Sequence, residues 1–177
     1  MVLMLRRSFS KIVPFRIVPF RILMAILMIC GSLAVGNSYA QAGAIDAYVL
    51  RYLDAADPVE LAIDETRRTQ LFSAAQLSEG KRLFGESCTN CHVGGATLPD
   101  PTQPLSLSAL QGAMPPRDTV RSLIAFLRQP MTYDGSEESF GCRQIPESWM
   151  SQEKVENLAA FILRAAQKAP GWGTSSF

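Results

Sequence analysis

The stretch Cys88-Thr89-Asn90-Cys91-His92 constrains this chain more than any other, because it holds the single histidine among 177 residues. C-x-x-C-H is the spacing that attaches a c-type haem. Two thiols three positions apart can each add to one vinyl group of the same porphyrin, and the next residue sets an imidazole under the iron. C-x-x-C alone is shared with zinc sites and thiol redox sites. Finding the sole histidine directly after the second cysteine favours haem c, one per chain, held by Cys88 and Cys91 with His92 on the iron. Zinc is the minor alternative: Cys88, Cys91, His92 and Cys142 add up to a Cys3His set, but adjacent Cys91 and His92 would have to turn toward one small ion. A thioredoxin-like reading lacks the surrounding βαβ pattern.

Residues 1–40 read as an address. They carry five basic side chains (Arg6, Arg7, Lys11, Arg16, Arg21) and no acid, with IVPFR repeated at 12–16 and 17–21. The apolar run at 22–35 is short for a membrane span. Small residues follow, and both Ser38-Tyr39-Ala40 and Ala40-Gln41-Ala42 resemble leader-peptidase sites, so a cleaved secretory signal is expected, with an uncleaved anchor as the alternative. Arg6-Arg7-Ser8-Phe9 has a twin-arginine look, yet a c-type haem is ligated after export onto accessible cysteines, which favours the general secretory route. Ile29 is too bulky for Cys30 to be a lipoprotein site. An oxidising destination agrees with the cysteine chemistry.

Without the leader the chain keeps 12 basic against 16 acidic residues, a net of −4. A mildly acidic body gives no reason to expect nucleic acid. Residues 41–72 read as an N-terminal arm: 44–54 spaces Ile45, Tyr48, Val49 and Tyr52 on one helical face, Asp57-Pro58 stops it, and 59–72 reads as extended or irregular. Residues 73–177 form the expected domain. Ser73-Ala74-Ala75-Gln76 has the form of a capping box, and Leu77, Gly80 and Phe84 recur on one face of a helix leading into the cysteines. Gly80 costs about 1 kcal/mol against alanine there, which a close helix crossing would explain. A short helix is expected near 106–111. The next helix opens at Pro115-Pro116-Arg117-Asp118, buries Val120, Leu123, Ile124 and Leu127, and ends at Pro130. A loop turns at Asp134-Gly135, and a last helix capped by Ser151 buries Val155, Leu158, Ile162 and Ala166. No alternating strand pattern of any length appears, so the expected core is all-α.

Low-spin haem iron takes two axial ligands, and the only histidine serves as the first. The candidates for the second are Cys142, Met114, Met131 and Met150. Methionine is the ordinary choice and would raise the potential; Met150, in the loop before the last helix, is placed for it, or is core filler. Cys142 is left without an intramolecular partner once Cys88 and Cys91 are on the porphyrin. It reads as a buried hydrophobe, an intermolecular disulfide, or a thiolate on iron, whose anionic form the ferric ion favours. Counting leaves Cys142 and the methionines level.

Further residues carry a resemblance: Glu79-Gly80-Lys81-Arg82-Leu83-Phe84, CTNCHVGG from Cys88 to Gly95, Pro116-Arg117-Asp118, Pro130-Met131-Thr132-Tyr133-Asp134-Gly135 and Gly171-Trp172-Gly173. From about Pro58 onward the chain resembles the low-potential cytochrome c-550 family, the extrinsic haem subunit on the lumenal side of cyanobacterial photosystem II. The resemblance implies a monohaem cytochrome c fold and maps the haem onto Cys88, Cys91 and His92. The family's second axial histidine follows the Tyr-Asp-Gly motif; here it is absent, and Cys142 stands within about a residue of its place. The chain thus resembles most a divergent c-550-like branch, which raises Cys142 above Met150. A low-potential electron carrier in the thylakoid lumen (alternatively the periplasm) follows, peripheral rather than transmembrane, associated with photosystem II, and not an enzyme. The rival readings are a structural lumenal subunit and a haem-based small-ligand sensor. No redox partner is named, and the arm before Ser73 is shorter and less matched than the family's.

Overall fold

In a computed structural model, residues 44–96 and 103–174 are described; the expected leader and its cleavage positions lie outside them. Two helices make the frame. The first, α2 (Ala74–Ser87), begins where the Ser73 hydroxyl accepts from the Gln76 N–H and the Gln76 side chain accepts from the Ser73 N–H, the capping box expected of that stretch. The last, α5 (Gln152–Lys168), is capped by Ser151 and buries Val155, Leu158, Phe161 and Ile162, with Ala165 rather than Ala166 fully covered. Full burial of each large side chain contributes roughly 1.5–3 kcal/mol, so α5 is the main ridge of the core. The helices cross at Gly80, where a Cβ would stand 2.0 Å from the Asn157 carbonyl oxygen and 2.7 Å from Phe161 Cβ. The close crossing is therefore the reason for a glycine mid-helix.

Between them lie α3 (Leu107–Gly112) and α4 (Val120–Arg128). The short helix expected near 106–111 is α3, and Ser106 caps it. The stripe Val120, Leu123, Ile124 and Leu127 of α4 is buried as expected. Its start is not: the helix begins after Thr119, whose hydroxyl accepts from the Ser122 N–H while the Ser122 hydroxyl accepts from the Thr119 N–H. Pro115 to Asp118 precede the cap because this reciprocal pair defines the first turn.

The stretch before Ser73 departs most from expectation. Asp46 caps α1 (Ala47–Tyr52), whose buried side is Val49, followed by Leu53, while Ile45 and Tyr52 are exposed. The stretch read as irregular holds an antiparallel hairpin, β1 (Val59–Ala62) with β2 (Thr69–Phe72), in the register Val59↔Phe72 to Ala62↔Thr69. An all-α reading is right for the core and misses this small sheet. The stretch expected as an arm is packed down: Val49, Leu53, Ala55, Val59, Leu61 and Phe72 join the same hydrophobic core as α2, α4 and α5. The hairpin turn is also tied down. Ile63 accepts a bond from the Arg121 N–H, and Arg67 reaches the buried Asp118 carboxylate at 2.8 Å.

Candidate haem site

The motif begins where α2 ends. Cys88 is the helix C-cap, its N–H donating to the Phe84 carbonyl. The Cys88 carbonyl then accepts from both the Cys91 N–H (3.1 Å) and the His92 N–H (2.8 Å). One oxygen thereby folds the five residues into a turn that holds the two sulfurs and the imidazole at one end of the helix. A 3-10 turn, Val93–Gly95, follows, with Gly94 and Gly95 at φ of +57° and +79°. L-residues with a Cβ rarely adopt that region. Glycine at 95 is required twice, since a Cβ there would stand 2.6 Å from the Trp172 ring. Trp172 packs on Phe84 and edge-on to Phe161, and its indole N–H donates to the Leu105 carbonyl. The Gly173 N–H donates to the Gly94 carbonyl.

Above the motif opens a cleft of two lobes, about 490 Å³ and 360 Å³. Both are lined by Cys91, His92, Leu105, Leu123, Phe126, Gly141 and Cys142. Cys88, Ile145, Trp149 and Arg143 line the larger lobe only; Leu110, Arg117, Met131 and Tyr133 line the smaller only. A mostly apolar socket of this size with a few polar groups suits a large flat ligand. Two thiols and an imidazole on its wall fit a covalently attached haem.

Cys142 sits on the loop between α4 and α5. That loop is fixed by Ser139 N–H to the Pro130 carbonyl, Ile145 N–H to the Leu127 carbonyl, and Arg128, which donates to the carbonyls of Ile145 and Met150. Arg117 donates to the carbonyls of Met131 and Thr132 and lies over the Phe126 ring at 3.9 Å. Burial lowers the His92 pKa, which favours the neutral imidazole, the form that binds a metal. Burial pushes the free Cys88 thiol up to about 12, with the neighbouring Cys142 and Cys91 adding to it. It also raises Cys142, against the opposing charge of Arg117.

The candidates for the second iron ligand are sorted by place. Cys142 lines both lobes, Met131 lines the smaller, and Met114 is 66% exposed. Met150 is 2% exposed, packed in the core and outside both lobes. Among the described residues no three His, Cys, Asp or Glu side chains stand close enough to hold a metal ion together, so the Cys3His zinc set is not assembled. Sequence reasoning did not single out Arg128, or give Arg117 a role beyond its motif. The only signal for either was a cation beside an apolar stripe.

The cytochrome c-550 domain model matches residues 51–177. The chain is 53% identical over 154 residues to the cytochrome c-550-like protein of Thermosynechococcus vestitus, covering 87% of each. It is 48% identical over 155 residues to the photosystem II extrinsic protein V of Gloeobacter violaceus, covering 85% of this chain and 84% of that one. The crystal structure of the PsbV2 cytochrome from the cyanobacterium Thermosynechococcus elongatus superposes with a TM-score of 0.72 at 57% identity, over 73% of this chain and 99% of that one.

Proposed function

The chain belongs to the cytochrome c-550 family and carries a covalently bound haem c, and on that premise we propose that it is a low-potential electron carrier with His92 and Cys142 on the iron. When bound, the haem supplies a one-electron ferric/ferrous couple. Cys88 and Cys91 hold it by thioethers, and the turn built on the Cys88 carbonyl aims His92. The Cys142 sulfur, as thiolate, would add a negative charge that stabilises the ferric state and lowers the potential. Leu105, Leu123 and Phe126 line both lobes and would shield the bound haem from water. The observation that carries the reading is the shared cleft: Cys142 faces into it with the motif, and Met150 does not.

The place of action would be the thylakoid lumen of a cyanobacterium, at the lumenal side of photosystem II. The support is the likeness to a relative named photosystem II extrinsic protein V. Among the described residues, no helix is long and apolar enough to cross a membrane, which agrees with a peripheral associate. The same likeness favours a second reading, a lumenal subunit whose haem is mainly structural; copurification with the photosystem without reversible reduction would select it.

Ferric EPR of the purified holoprotein tests the ligand pair. Cys142→Ala should abolish the thiolate-type low-spin signal and leave stability nearly unchanged. Met150→Ala should keep the signal while costing about 3 kcal/mol as a core cavity. The reverse pattern would make methionine the ligand and remove the low-potential reading.

A further inference from the structure

We infer that the turn of the β1–β2 hairpin is a docking face for a carboxylate-rich protein surface, presented by Arg67, Arg68 and Arg121. It rests on the reading of a peripheral associate above and is independent of the ligands on the iron. The three guanidinium side chains are between 60% and 65% exposed, whereas the carboxylates they engage are covered, Asp118 at 4% and Asp64 at 14%. Arg67 meets Asp118 at 2.8 Å. Arg68 donates to Asp64 through both Nε and Nη2, and Arg121, from α4, lies 3.7 Å from the same carboxylate. Two covered acids thus hold three cations, and each cation keeps an outer side in water. Glu65 adds one exposed acid to the turn.

Holding the hairpin together does not account for this arrangement. One arginine satisfies each carboxylate, and the third has no acid of its own. The turn is also fixed without it: Asp64 accepts from the Thr66 N–H and hydroxyl, and its carbonyl accepts from the Arg67 N–H. Arg67 sits at φ +60°, where glycine or asparagine is usual in a turn, so the chain carries a strained arginine at that place. A guanidinium already held in place loses little freedom on binding, and its fork matches a carboxylate.

The pattern favours a protein over a lipid surface. Segments that bind anionic bilayers gather about four to eight Lys and Arg; here there are three arginines with acids among them. Residues 41–177 carry a net −4, so a uniformly anionic bilayer repels the body, while a local acidic patch on a partner attracts the turn alone. Leu71, 58% exposed on the strand leaving the turn, adds an apolar contact beside arginines, the residue type enriched at protein interfaces.

The test uses the purified holoprotein at low ionic strength, where exposed charges act over the longest range. Immobilised poly-L-glutamate is the first probe. The double variant Arg68→Gln/Arg121→Gln should bind it roughly tenfold more weakly than wild type. Lys154→Gln/Lys168→Gln, which removes two exposed charges of α5, should lose little at the same net charge. Equal losses in the two doubles, or no loss in the turn variant, would overturn the assignment. Arg67 is left in place because its removal would strand the buried Asp118. Should the turn double fail to accumulate with its haem spectrum intact, Arg121→Gln alone decides: a loss of about threefold supports the face and an unchanged affinity overturns it. Phosphatidylglycerol vesicles are the second probe, and turn-dependent binding stronger than that to polyglutamate would give the face to lipid instead. Photosystem II particles stripped of extrinsic subunits are the third. A turn-dependent contrast on polyglutamate without binding to the particles would support the docking face and remove the photosystem reading. Binding to the particles that the turn variant retains in full would keep that reading and overturn the face.

Discussion

On the His92 side of the cleft, backbone holds backbone: the Cys88 carbonyl takes two N–H groups, Gly94 and Gly95 accept from Gly173 and Leu105, and a helix end feeds the motif. On the Cys142 side, long side chains add to the backbone bonds from Ser139 to Pro130 and from Ile145 to Leu127. Arg128 spans to Ile145 and Met150, Gln144 returns to the Arg128 carbonyl, and Arg117 clasps Met131 and Thr132. Among the described residues the Cys142 sulfur makes a single weak hydrogen bond, to the Arg143 carbonyl at 3.9 Å. A helix terminus and glycine turns are fixed by backbone alone, whereas a wall that also needs arginines in place must order their rotamers, at a cost in side-chain entropy. The imidazole side is preformed; the sulfur side is assembled.

The strongest way to break that contrast is to disturb the frame under the motif. Gly80→Ala would drive a Cβ into the Asn157 carbonyl, and should cost about 3 kcal/mol, at the upper end of overpacking. Thermal unfolding measures it, and a loss below 1 kcal/mol would mean that α2 and α5 slide apart freely. Next in size, Arg128→Met leaves the Ile145 and Met150 carbonyls without their donor and should cost about 2 kcal/mol. Its ferric EPR should become heterogeneous, which Gly80→Ala should not produce while folded.

The smallest effect concerns acid. Hydrogen bonds from the Thr132 and Ser136 side chains and the Ser136 N–H hold the Asp134 carboxyl at about 2. A depressed folded pKa contributes stability above the unfolded value near 3.8 and loses it as pH falls toward 2. The melting temperature should therefore drop between pH 4 and pH 2, less steeply in Asp134→Asn. A residual slope should remain from Asp64, held at about 2 by Thr66 and Arg68 in the hairpin turn. Equal slopes in both proteins would show that the Asp134 turn opens on acidification without affecting the fold.

The same contrast explains what the sequence made legible. The Ser73 box, the Ser151 cap, the short helix near 106–111, the α4 stripe and the need for Gly80 are local signals, each complete within a turn or one helical face. The hairpin escaped because its strands are four residues long and only Val59, Leu61 and Phe72 turn inward. The α4 start escaped because serine replaces the glutamate or glutamine usual at the third position of a capping box. The face of α1 is set by α2, not by its own spacing. Of the site, the C-x-x-C-H motif placed one wall, counting left the opposite ligand open, and a resemblance ranked it. The arginines that fix that wall act across the loop, at separations no periodicity records.

Trp172 makes closure of the haem wall depend on the far end of the domain. The tryptophan that covers Gly95 and the glycine that pins Gly94 come from beyond α5, far along the chain from the two thiols. An exported chain in which that end is still undocked would present the stretch after His92 without its cover, and docking the end would then seal it.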